Sequence, residues 1–117
     1  MNIEEFREYC LSKRGVSEEL PFGPDTLVYK VMGKIFALTS LESEIFSVNL
    51  KCDPDKAIQL REEFDYITAG YHMNKKHWNT LNAERTSSNQ LKELTDHSYD
   101  LVVDSLPKKM KIELEQL

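Results

Sequence analysis

Between Thr26 and Lys51 the chain carries three short runs rich in β-branched and aromatic residues, Thr26 to Met32, Lys34 to Leu38 and Ile45 to Lys51. Gly33 separates the first two and Glu42-Ser43-Glu44 the second and third, both of them turn material. The economical arrangement is an antiparallel meander. In the first run Leu27, Tyr29 and Val31 alternate with Val28, Lys30 and Met32, so Lys30 is expected to share a half-solvated face with Val28 and Met32.

Helical periodicity brackets these runs. Ile3, Phe6 and Cys10 recur at helical spacing, Asn2 can cap the first turn with Glu5 three places on, and Gly15 supplies a left-handed stop. Pro21-Phe22-Gly23-Pro24-Asp25 reads as an ordered loop, because two prolines lack the backbone donor and restrict the residues before them; Phe22 is expected in the core. Asp53-Pro54 starts a helix whose buried stripe is Ala57, Leu60 and Phe64 and which ends near Asp65. Residues 66–84 hold Tyr66, Ile67, Tyr71, Trp78, Thr80 and Leu81 around Gly70, predicting two more strands joined by a basic turn. A long helix from Ser87 or Ser88 to about Ser105 follows, with Leu91, Leu94, Leu101 and Val102 on its apolar face. Pro107 breaks it, and Met110, Leu114 and Leu117 recur on a short terminal helix. This order predicts an α+β two-layer sandwich, a mostly antiparallel sheet covered by helices, in a single domain over residues 1–117.

With 117 residues, 40% of them hydrophobic, such a chain hides roughly two thirds of its unfolded surface without crosslinks. Its net charge of -5 argues against a protein that binds polyanions over its whole surface, yet residues 69–94 hold four lysines and arginines against two glutamates. The start is acidic and polar, and no apolar run approaches the roughly 20 residues that cross a bilayer, so a cytoplasmic protein without membrane association is expected. Cys10 and Cys52 are too few and too far apart for a disulfide framework or a CxxC pair; they are expected to be buried thiols.

One segment stands out. Gly70-Tyr71-His72-Met73-Asn74-Lys75-Lys76-His77-Trp78-Asn79-Thr80 concentrates two lysines, two histidines, two asparagines and the only tryptophan. Lysines and protonated histidines neutralise phosphates, asparagine reads base edges or caps a turn, and Tyr71 and Trp78 offer surfaces for stacking. The bland reading is that the aromatics anchor the segment in the sheet while Lys75 and Lys76 form a solvated turn. His72 and His77 lie five apart, which fits neither a helical HExxH site nor a zinc-finger pair, so no metal and no cofactor are expected. His97 beside Asp96 reads as a partly exposed helical residue. Nucleophile elbows and phosphate-binding glycine loops are absent, and Ser87-Ser88 reads as an ordinary helix cap, so no enzymatic activity is expected.

Pro21-Phe22-Gly23-Pro24, Lys30-Val31-Met32-Gly33-Lys34-Ile35-Phe36-Ala37, Asn49-Leu50-Lys51-Cys52-Asp53-Pro54, the segment from Gly70 to Thr80, and Ser98-Tyr99-Asp100-Leu101-Val102-Val103 appear in this order. Nearly end to end, the chain resembles the bacterial MmcQ/YjbR-like proteins. Ala69 stands where that family has a proline before Gly70, and Pro107 where it often has a helix-starting threonine. The resemblance implies a CyaY-like fold and a proposed double-wing DNA-binding arrangement. It also raises iron binding on an acidic first helix carrying Glu4, Glu5 and Glu8, although glutamates so spaced are more often solvated charges.

The resulting expectation is a non-enzymatic, monomeric DNA-binding module of weak affinity. Asn74, Lys75, Lys76, His77, Trp78 and Asn79 form its site, and Lys30, Lys34, Lys51 and Arg85 extend it as phosphate contacts. The alternative is a protein- or small-ligand-interaction domain, which calls for an apolar cavity beside Trp78. A third class, an enzyme using His72 or His77 as general base, calls for a group holding one ring nitrogen.

Overall fold

Asn2 opens helix α1 (Ile3–Leu11) with a reciprocal cap: its side-chain oxygen accepts from the Glu5 N–H at 2.8 Å, and the Glu5 carboxylate accepts from the Asn2 N–H at 3.0 Å. The helix stops four residues short of Gly15, whose φ of +74° turns the chain into strand β1 (Val16–Glu19). Local propensity predicts no strand there, since two glutamates in four residues disfavour one. An edge position admits them: Glu18 accepts from the Arg7 guanidinium at 2.8 and 2.5 Å, and Glu19 pairs with Lys30 at 2.9 Å.

The computed structural model describes residues 1–70 and 73–117. Beyond β1 it contains β2 (Thr26–Val31), β3 (Lys34–Ser40), β4 (Ser47–Lys51), α2 (Pro54–Glu63), β5 (Ile67–Ala69), β6 (Trp78–Asn82), α3 (Ser88–Asp104) and α4 (Lys108–Glu115). Among the described residues the six strands form one antiparallel sheet in the order β1-β2-β3-β4-β6-β5. Strands β2, β3 and β4 make the expected meander, and β1 extends it at the edge beside β2. The β5–β6 hairpin then folds back so that β6 lies against β4.

Strand alternation gives this sheet two unlike faces. Tyr29, Val31, Ala37, Val48, Leu50, Ile67 and Leu81 point to one side and share a single core with Phe6 and Cys10 of α1, Leu91, Leu94 and Val102 of α3 and Leu114 of α4. Leu60 and Phe64 bring α2 against the same core. An α+β fold with helices covering one face follows. Thr26, Val28, Lys30, Leu38, Asn49, Lys51, Trp78 and Thr80 take the other side, as the cross-strand partners Val28–Leu38, Leu38–Asn49, Asn49–Thr80 and Lys51–Trp78 require.

Two expectations need correction. Phe22 is 66% exposed rather than set in the core. Met32 leaves the face of Val28 and Lys30: its φ of +49° makes it a turn residue, and its N–H donates to the Gly15 carbonyl at 3.2 Å. Both cysteines are buried, and burial pushes the Cys10 thiol up to about 12 and that of Cys52 up to about 11. Among the described residues no helix is long and apolar enough to cross a membrane.

Candidate nucleic-acid interface

The turn ahead of β6 is held from its backbone. The Asn74 carbonyl accepts from the N–H groups of His77 at 3.1 Å and Trp78 at 3.0 Å, while the Asn74 side chain accepts from the Lys76 N–H at 3.0 Å. The carbonyl of His77 accepts from the Cys52 N–H at 2.7 Å, and that of Lys75 from Arg61 at 3.1 Å. Gly70 donates to the Trp78 carbonyl at 2.8 Å, an approach that excludes a side chain: a Cβ there would lie 2.9 Å from the Trp78 Cβ. With the main chain tied inward, Lys75 and Lys76 are exposed. Among the described residues no carboxylate forms an ion pair with Lys51, Lys75 or Lys76.

Trp78 stands directly across from Lys51 on the helix-free face, and the next pair on that face is Asn49 with Thr80, whose hydroxyl bonds the Asn49 amide oxygen. Beside this row opens a hollow of about 420 Å³ lined by Phe22, Thr26, Ile35, Leu38, Asn49 and Met73 among others. Among the described residues it carries no charged side chain. Neither Asn49 nor this hollow stands out in the sequence; Met73 lies inside the conspicuous segment but has no role that its type alone suggests. Arg61, which braces the turn, is likewise absent from the expected site, although a basic residue in the last turn of a helix is a readable signal.

The structure disperses part of the expected site. Asn79 is 2% exposed and points to the helix side, where its amide oxygen accepts from Arg61 at 2.9 Å and its amide nitrogen donates to the Ala57 carbonyl at 3.3 Å. It fastens β6 to α2 and reads nothing from solvent. Lys30 shares the open face but is neutralised by Glu19. Arg85 follows the far end of β6 from Trp78, paired with Asp65 at 2.9 Å and 5.4 Å from the Tyr66 ring centre. Lys34 is exposed at the β2–β3 turn, apart from the others. His77 is half-buried in the basic turn. Tyr71, offered as a stacking surface, and His72, weighed as a general base only in the third reading, lie outside the described residues.

His97 has a structural task instead: its Nε2 accepts from the Asp53 N–H at 3.2 Å, linking α3 to the start of α2. Burial first, and then the nearby Lys56 ammonium, holds its imidazole below the ordinary value of 6.5. Ser87 caps α3 by accepting from the Gln90 N–H at 3.1 Å, as the sequence predicts.

Residues 11–101 match the family model described as YjbR. Over 90 residues the chain is 43% identical to the Escherichia coli O157:H7 protein YbdF, covering 76% of this chain and 74% of that one. It is 30% identical to Escherichia coli K12 YjbR over 118 residues, with both chains covered completely. Among solved structures, Deinococcus radiodurans protein DR2400 superposes with a TM-score of 0.90 at 33% identity, covering 97% of this chain and 88% of that one. A Pseudomonas syringae protein reaches 0.74 at 25% identity, covering 86% and 98%.

Proposed function

The chain belongs to the YjbR family, and from that premise we propose that it is a non-enzymatic, monomeric, cytoplasmic module that binds nucleic acid, DNA in the first instance, on the helix-free face of its sheet. One observation carries the reading: the sole tryptophan is paired across strands with Lys51 and adjoins a turn whose Lys75 and Lys76 have no acidic partner among the described residues. An indole supplies a stacking platform that every base can use, and ammonium groups outside ion pairs are available to phosphates. In the double-wing arrangement that the resemblance implies, the β5–β6 hairpin and its basic turn serve as one wing. The net charge of -5 keeps affinity low, because long-range repulsion opposes the local patch.

Quenching of Trp78 fluorescence by short DNA at several salt concentrations tests this. Log affinity should fall linearly with log salt, and the double variant Lys75→Ala, Lys76→Ala should flatten the slope by about 0.7 to 0.9 for each phosphate that is no longer neutralised. An absence of binding at low salt would refute the reading. The hollow beside the face favours one competitor, a small neutral ligand, whose affinity would be insensitive to salt.

A further inference from the structure

We infer that the nucleic acid is single-stranded and that the hollow receives one of its unpaired bases. This rests on the nucleic-acid reading above and goes beyond it by naming the form of the ligand and the pocket that selects it. The hollow's volume of about 420 Å³ lies within the range that small flat ligands occupy. Its lining suits a base: Ile35, Leu38 and Met73 are apolar, Phe22 holds a ring in solvent at the rim, and Asn49 and Thr26 contribute neutral polar groups. Among the described residues a phosphate would find no cation within it, so the charge and the hollow divide the ligand between them.

Their placement matches that division. Asn49 lines the hollow two residues from Lys51 on the same face of β4, roughly 7 Å along the strand. Met73 lines it too and leads directly into Asn74, Lys75 and Lys76. A backbone crossing Lys51 and the basic turn therefore passes a cavity with the Phe22 ring at its rim and, among the described residues, no charged side chain. Duplex bases are stacked and paired, with their flat faces hidden; only an unstacked base can be turned into such a cavity. The prolines on either side of Phe22 hold the exposed phenyl in a restricted loop, which lowers the entropy lost when a base stacks on it.

Fluorescence anisotropy with a labelled single strand of about twelve nucleotides, and with the duplex of the same sequence, tests the inference on the wild type and on Phe22→Ala. Phe22 is exposed, so its removal leaves the core intact. The single strand should bind at least about tenfold more tightly than the duplex. Phe22→Ala should lose about 5- to 150-fold of the single-strand affinity with its salt slope unchanged. Equal binding of single strand and duplex, or an unaffected Phe22→Ala, would overturn the inference and leave the broader reading standing. A free nucleotide that matched the affinity of the strand would also overturn it, since the backbone would then contribute nothing. Failure of both nucleic acids to bind would remove the broader reading itself.

Discussion

Tyr29 packs its ring edge-on against Phe6 at 5.8 Å, is fully buried, and carries a hydroxyl with no hydrogen-bond partner among the described residues. An unmade buried hydrogen bond costs about 1–3 kcal/mol, so Tyr29→Phe should leave stability unchanged or raise it by about 1 kcal/mol. Urea denaturation checks this, and a clear loss would show that the hydroxyl is satisfied. His97 gives a pH signature. Its folded value lies below 6.5, so the unfolded chain takes up the proton first as pH falls. The stability this residue contributes is present above about 6.5 and is lost as pH drops through the lower folded value, where the bond to the Asp53 N–H breaks. His97→Gln, which cannot titrate, should flatten that part of the stability profile; parallel profiles for the two proteins would contradict the assignment. Burial of Cys10 and Cys52 was legible from residue type and context. The orientation of Asn79 relative to Trp78 is legible too, because a residue next to Trp78 on a strand must face the other way.

At the scale of elements, α2 and β6 form the bracket on which the candidate surface depends. Arg61 holds the Asn79 side chain and the Lys75 carbonyl together, and Asn79 also holds the Ala57 carbonyl. Asn79→Ala removes the acceptor of Arg61 and the donor to the Ala57 carbonyl at a buried position and should cost about 1–3 kcal/mol in denaturant unfolding. A residue that merely read bases from the surface would be removed without that loss. Helix boundaries followed closely from caps, as at Asn2, Asp53 and Ser87, because capping is local chemistry. Strand β1 is not legible in the sequence because what makes Glu18 and Glu19 acceptable there is a pair of cations on other elements. Lys30 and Arg85 read as open to ligands for the same reason: their acidic partners come from β1 and from the loop after α2. Ion pairing between elements leaves no trace in the local pattern of a chain.

For the molecule as a whole, the division of labour between the two sheet faces is what gives the fold a surface to use. The helices bury one face around Tyr29, Leu50, Leu81 and Leu91, while the other keeps Lys51, Trp78, Asn49 and Thr80 in a continuous row. The α+β class and the meander could be read from periodicity. Alternation tells which neighbours on a strand face apart, but which strands pair, and so which side chains line up across the sheet, depends on register and on the bulge between Tyr29 and Lys30. Whether nucleic acid lies on the helix-free face is tested most directly by amide NMR shifts on titration with a single-stranded oligonucleotide. The perturbed signals should be the Trp78 indole and the amides of Asn49, Lys51, Lys75, Lys76 and Thr80, with those of α1 and α3 unmoved. Perturbations confined to the helices, or none at low salt, would contradict it.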